Sequence, residues 1–218
     1  MKHPSTRSPD DLPSIDDLIR LSKGLAMLDA ILSPEWDYRY YSFNSKWVPG
    51  EMMASMRNGS GDDYFILFDN HGAAIKGFDH EAVISPWGSD PPVVWPGMYD
   101  SVPAEFSSFL NEPAFSMADV TFCIWRRYGD EVWQCGVREF PEGEDPDGSG
   151  WMLEMLGGDP VTYQDFARDY YEVDISLASI EHIYAGEPLT EDVVRSLNHK
   201  VTGADIEADA SQIAYGRV

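Results

Sequence analysis

Two apolar runs, YFILF at residues 64 to 68 and AAIKGF at residues 73 to 78, are separated only by Asp69-Asn70-His71-Gly72. This pattern constrains the fold more tightly than any other in the chain. Residues of that turn chemistry between two such runs predict a β-hairpin. Successive side chains on a strand point to opposite faces, and here both faces are apolar, so the hairpin belongs near the centre of a sheet. A second hairpin is predicted from VTFCIWRRY, residues 120 to 128, and EVWQCGV, residues 131 to 137, around Gly129-Asp130. A two-residue turn there sets Ile124 opposite Cys135 and Arg126 opposite Trp133. A three-residue loop would instead oppose Cys123 to Cys135 and Trp125 to Trp133, and the turn chemistry favours the first register. The aromatic-rich WDYRYYSFNSKW, residues 36 to 47, reads as an edge or early strand.

Helical signals lie toward both ends of the chain. Leu18, Leu21, Leu25, Leu28 and Leu32 alternate by three and four, Ser14 can cap, and Pro34 ends the run. The stripe is too short for a coiled coil and Gly24 interrupts it, so this helix packs on its own domain. Pro103 opens a short helix carrying Phe106, Phe109 and Leu110. Three more are expected near the end: one capped by Thr162 with Val161 and Phe166 as a staple, one from Ser176 carrying Ile180 and Ile183, and one from Thr190 stapled by Leu189 and Val194. Strands in the middle and helices at both ends predict an α+β fold, a central, mostly antiparallel sheet with the helices packed on it. Residues 1–13, with three prolines and few apolar groups, read as a flexible tail. Residues 14–200 read as a single domain, and 201–218 as an extension without periodicity.

The formal net charge is -23, from 38 Asp+Glu against 15 Lys+Arg. Such a field repels nucleic acid and anionic membrane and attracts basic protein surfaces. Residues 129 to 218 hold 20 of the acids and 5 of the bases, which makes them the electrostatic face. No apolar run approaches the ~20 residues that span a bilayer. No apolar segment follows the basic residues at the start, and a cytoplasmic location is expected. Cys123 and Cys135 are too few for a disulfide framework and are expected to be buried, unreactive thiols on adjacent strands.

In DPDGSG, Asp145, Asp147 and Ser149 alternate as in a calcium loop, but the twelfth position is Leu156 rather than a bidentate Glu. The segment reads as an acidic turn. The two cysteines are twelve residues apart, no histidine pair has ligand spacing, and neither a metal nor another cofactor is expected. There is no nucleophile elbow, phosphate loop or dinucleotide fingerprint. From Ile84 to Pro103, five prolines accompany Trp87 and Trp95, which predicts an ordered loop without regular elements. With Tyr99, Asp145 and Asp147 it forms the candidate binding surface, whereas Trp125 and Trp133 are assigned to the core. An alternative site is a pocket between loop 84–103 and the sheet, with Arg57, His71 and His80 as its polar groups.

The stretches YYSFNSKW, MASMRNGSGDDYFILF, GAAIKGFDHE and TFCIWRRYGDEVW resemble an uncharacterised family of bacterial cytosolic proteins. SVPAEFSSFL is similar to the LP-x-x-[YF]-x-x-F-[LI] segment of the SMI1/KNR4 immunity superfamily, although Asn111-Glu112-Pro113 replaces the turn that usually follows. The resemblance implies a non-enzymatic, immunity-type protein. Joined to the charge, it leads to the expectation of an acidic binding protein docked on a basic partner. The alternatives are a small enzyme or ligand-binding protein built on the pocket above, and a nucleic-acid mimic with carboxylates spaced like phosphates.

Overall fold

The computed structural model describes residues 3–136 and 139–216 and sets the predicted central hairpin in the middle of an antiparallel sheet. The strands are β1 (Tyr41–Val48), β2 (Glu51–Arg57), β3 (Asp63–Phe68), β4 (Gly72–Phe78), β5 (Phe122–Arg127) and β6 (Gln134–Cys135), hydrogen-bonded in chain order. The helices are α1 (Ile15–Leu32), α2 (Ser107–Leu110), α3 (Ser149–Met152), α4 (Pro160–Tyr170), α5 (Leu177–Tyr184), α6 (Glu191–Leu197) and α7 (Glu207–Ile213). The fold is α+β. Asp69 closes the β3–β4 turn by accepting hydrogen bonds from the backbone of His71 and Gly72, which leaves Phe68 paired with Ala73.

The two strand faces meet different cover. Phe43, Met56, Ile66, Ile75 and Ile124 alternate onto one face and join the core beneath the long helices. Met53, Leu67, Ala74, Cys123 and Trp125 point the other way, into a second cluster closed by Ile84, Met98, Phe106, Phe109 and Phe115 from the β4–β5 connection. Lys76 also lies on that second face. It is fully buried, 2.8 Å from the Asp63 carboxylate, with the Phe65 and Phe78 rings each 5.6 Å away. Burial pushes the Lys76 ammonium down and the Asp63 carboxyl up, and their mutual attraction opposes both shifts.

Several boundaries differ from those expected. The chain enters β1 only at Tyr41, because residues 36–38 form a 3-10 turn, and β1 takes the edge position. β2 is unanticipated, since EMMASMR contains no β-branched or aromatic residue. The second hairpin keeps Ile124 opposite Cys135, but its turn is centred on Tyr128-Gly129, with the Asp130 amide donating to the Arg127 carbonyl at 3.0 Å. The expected Arg126–Trp133 pair is replaced: Trp133 leaves the strand for the core and donates to the Pro13 carbonyl at 2.9 Å. Val137, the end of the predicted strand, lies outside the described residues.

Among the helices, Ser14 caps α1 as expected, and Gly24 lets α5 approach closely, since a Cβ there would stand 3.3 Å from the Ile183 carbonyl. α4 begins earlier than expected, capped by Asp159 with Pro160 in its first turn, so Thr162 is inside the helix. Ser176 and Thr190 precede α5 and α6 as predicted. Both chain ends depart from the tail and extension. Leu12 is buried in the core, and Thr6 bonds the Asp147 carboxylate at 2.5 Å and, through its amide, Ser149 Oγ at 3.0 Å. Ile206, Ala210, Ile213 and Tyr215 are buried with α7 against α1 and β1. Among the described residues no helix is long and apolar enough to cross a membrane.

Candidate functional site

Asp29 lies in the last turn of α1, fully buried. Its Oδ2 accepts from the Tyr40 and Tyr41 amides at 2.8 and 2.7 Å, and its Oδ1 from the Tyr163 hydroxyl at 2.6 Å. One carboxyl therefore ties α1, the start of β1 and α4. Burial pushes it up to about 6, against the opposing pull of those hydrogen bonds.

On the outer side of this junction, α3 and α4 stand away from the first two strands and leave a groove of about 500 Å³. Tyr40, Tyr41 and Met56 line it from the strand side, and Trp151, Met152, Met155 and Phe166 from the helical side. The Tyr40 ring meets Phe166 at 5.0 Å and Tyr170 at 4.7 Å in edge-on contacts, which fix that ring. Glu154, Asp159 and Asp165 line the same groove, and among the described residues no Lys, Arg or His lines it. Asp159 uses one oxygen to cap α4, and Asp165 pairs with exposed Arg168 at 2.7 Å.

Trp151 joins this groove to a polar cluster at the adjoining end of the sheet by donating from Nε1 to Asp79 at 2.9 Å. Gly148 permits that approach: it has φ +73, and a Cβ there would fall 2.3 Å from the Asp79 carboxylate. Asp62, Asp79 and His80 bring ligand atoms within 4.8 Å of one another. Both carboxylates already hold hydrogen bonds within the fold. Asp62 accepts from the His80 amide at 2.9 Å, faces His80 Nδ1 at 2.6 Å and accepts from Asn58, while Asp79 also accepts from the Glu81 amide. Burial raises the Asp62 carboxyl, but those hydrogen bonds outweigh it and hold the group below its ordinary value; the same Asp62 contact raises His80. The group is a hydrogen-bonded clasp between the β2–β3 turn and the end of β4.

The residues expected to form the binding surface differ in exposure and in what holds them, although Ile84 and Trp95 tie their loop to the Pro146 and Glu139 carbonyls. Trp87 is 63% exposed, with Nε1 donating to Asp119 at 2.9 Å. Trp95 and Tyr99 are half-buried against the second core cluster, and Tyr99 donates to the Met117 carbonyl. Asp147 is buried, taking hydrogen bonds from Thr6 and Ser149, and burial raises its carboxyl; Asp145 accepts from the Gly150 and Trp151 amides. These aspartates fasten the start of α3 instead of facing a partner. The alternative pocket is not built as expected either. Ile84 and Met98 pack down on the sheet, and His71 and His80 stand at opposite ends of β4. Arg57 lines a different hollow of about 280 Å³ with Trp36, Trp47, Ser55 and Phe65. Trp125 and Trp133 are core residues, as expected. The groove as a whole is not legible in the sequence because Tyr40 and Phe166 are over a hundred positions apart, although Trp151 beside the acidic loop is a candidate interface aromatic.

No family model matches the chain, and comparison with curated proteins and with solved structures finds no match.

Proposed function

We propose that this protein is a non-enzymatic, acidic docking protein for a basic protein partner, of the immunity type. The observation that carries this reading is the groove between β1–β2 and α3–α4, where an aromatic and methionine surface is bordered by Glu154, Asp159 and Asp165, with no lining cation among the described residues. Apolar contact supplies affinity at such a site, and the carboxylates select and steer a cationic surface toward it. The net charge of -23 extends that attraction beyond the groove.

The test is retention of partners on the immobilised protein at about 0.05 M and about 1 M NaCl, where the screening length falls from more than 10 Å to about 3 Å. Retained proteins are identified, purified and titrated against the protein across that range. A basic partner whose affinity drops at least about tenfold with salt is expected. A partner that is not basic, an affinity indifferent to salt, or no partner at any ionic strength refutes the proposal.

A further inference from the structure

We infer that the groove is an arginine socket, receiving one arginine side chain that the basic partner projects from an exposed segment. The inference rests on the docking reading and names what enters the site. Tyr40, Phe166 and Trp151 offer ring surfaces, and Met152 and Met155 add a soft, adaptable lining for an aliphatic stem. A guanidinium is planar and weakly hydrated, so it stacks on such rings, whereas an ammonium is a compact and strongly hydrated charge. Glu154 and Asp165 are both exposed, Asp165 with one oxygen on exposed Arg168, which leaves carboxylate oxygens able to accept a guanidinium fork. The cavity of about 500 Å³ also admits the residues flanking the arginine, which favours a peptide segment over a free small cation.

The probe is a blocked Gly-Arg-Gly peptide, compared with counterparts in which the arginine is lysine or citrulline, its neutral isostere. Titration is followed through the Trp151 indole and Met155 methyl signals, with free arginine amide as the small-cation arm. Saturable shifts at those signals are expected, with citrulline at least about tenfold weaker and lysine in between. Glu154→Gln combined with Asp165→Asn should lower the arginine peptide's affinity by about tenfold without changing the melting temperature. Equal binding of citrulline, shifts confined to another surface, indifference to the double substitution, or no saturation by about 10 mM each overturns the socket. So does free arginine amide binding as tightly as the peptide. If the peptide fails while a basic partner still binds in a salt-dependent way, the socket alone is lost; if no basic partner exists, the docking reading falls with it.

Discussion

Asp29 holds three elements together with one side chain, and its protonation should be measurable in the stability of the fold. Its folded-state value of about 6 lies above the ordinary carboxyl value of 3.8. The neutral form is therefore favoured in the folded protein, and Asp29's contribution is full below about pH 4 and is lost as pH rises through about 6. The size of the effect is on the order of 2–3 kcal/mol. Urea denaturation of the wild type and Asp29→Asn should diverge across that window, the wild type gaining relative to the variant as pH falls from 7 to about 4. Parallel pH profiles would show that the carboxyl is not perturbed. Asp29→Ala orphans the Tyr40 and Tyr41 amides and the Tyr163 hydroxyl, at a cost of about 1–3 kcal/mol for each donor left unpaired. The sequence shows Asp29 four residues after Leu25, on the apolar stripe of α1, but Tyr163 is 134 positions away and periodicity carries no trace of that contact.

The β5–β6 pairing decides the chemistry of both cysteines. Because Cys135 opposes Ile124, it faces the helical core, while Cys123 faces the second cluster beside Trp125. A slip of one residue would have put the sulfurs side by side, so the hairpin register keeps them apart. Burial also pushes the Cys123 thiol far up, which removes thiolate at neutral pH. Thiol counting should find Cys123 unreactive until denaturant is added, and oxidation of the folded protein should not cross-link the pair. Fast native labelling of Cys123 or a disulfide would contradict this register. Strongly patterned elements were legible for the same physical reason: alternation in β3 and β4 and the leucine stripe of α1 are imposed by local geometry. α7 was not, because ADIEADASQI places only Ile206, Ala210 and Ile213 inward and its stability comes from α1 and β1. Ile213→Ala should therefore cost about 2–5 kcal/mol in thermal or urea unfolding, as for a core residue. A loss below about 0.5 kcal/mol would return the C-terminal segment to the role of an appendage.

Across the whole molecule the carboxylates serve opposing ends. They border a groove with no lining cation among the described residues, and the same charges repel one another when the chain is compact. Few are neutralised inside the fold: Asp63–Lys76 and Arg39–Asp209 are largely buried pairs, but Asp165–Arg168, Asp17–Arg20 and Glu191–Arg195 are surface pairs, each contributing about 0–1 kcal/mol. Salt should consequently act on folding and docking with opposite sign. Screening relieves repulsion within the chain, so the melting temperature should rise between about 0.01 M and about 0.3 M NaCl while affinity for a basic partner falls over the same range. Potassium glutamate in place of chloride controls for specific anion binding, which would raise stability with one salt and not the other. A melting temperature that falls with both salts would mean that local ion pairs, not net repulsion, dominate the surface energetics. The surface would then lack the long-range field on which steering of a basic partner depends.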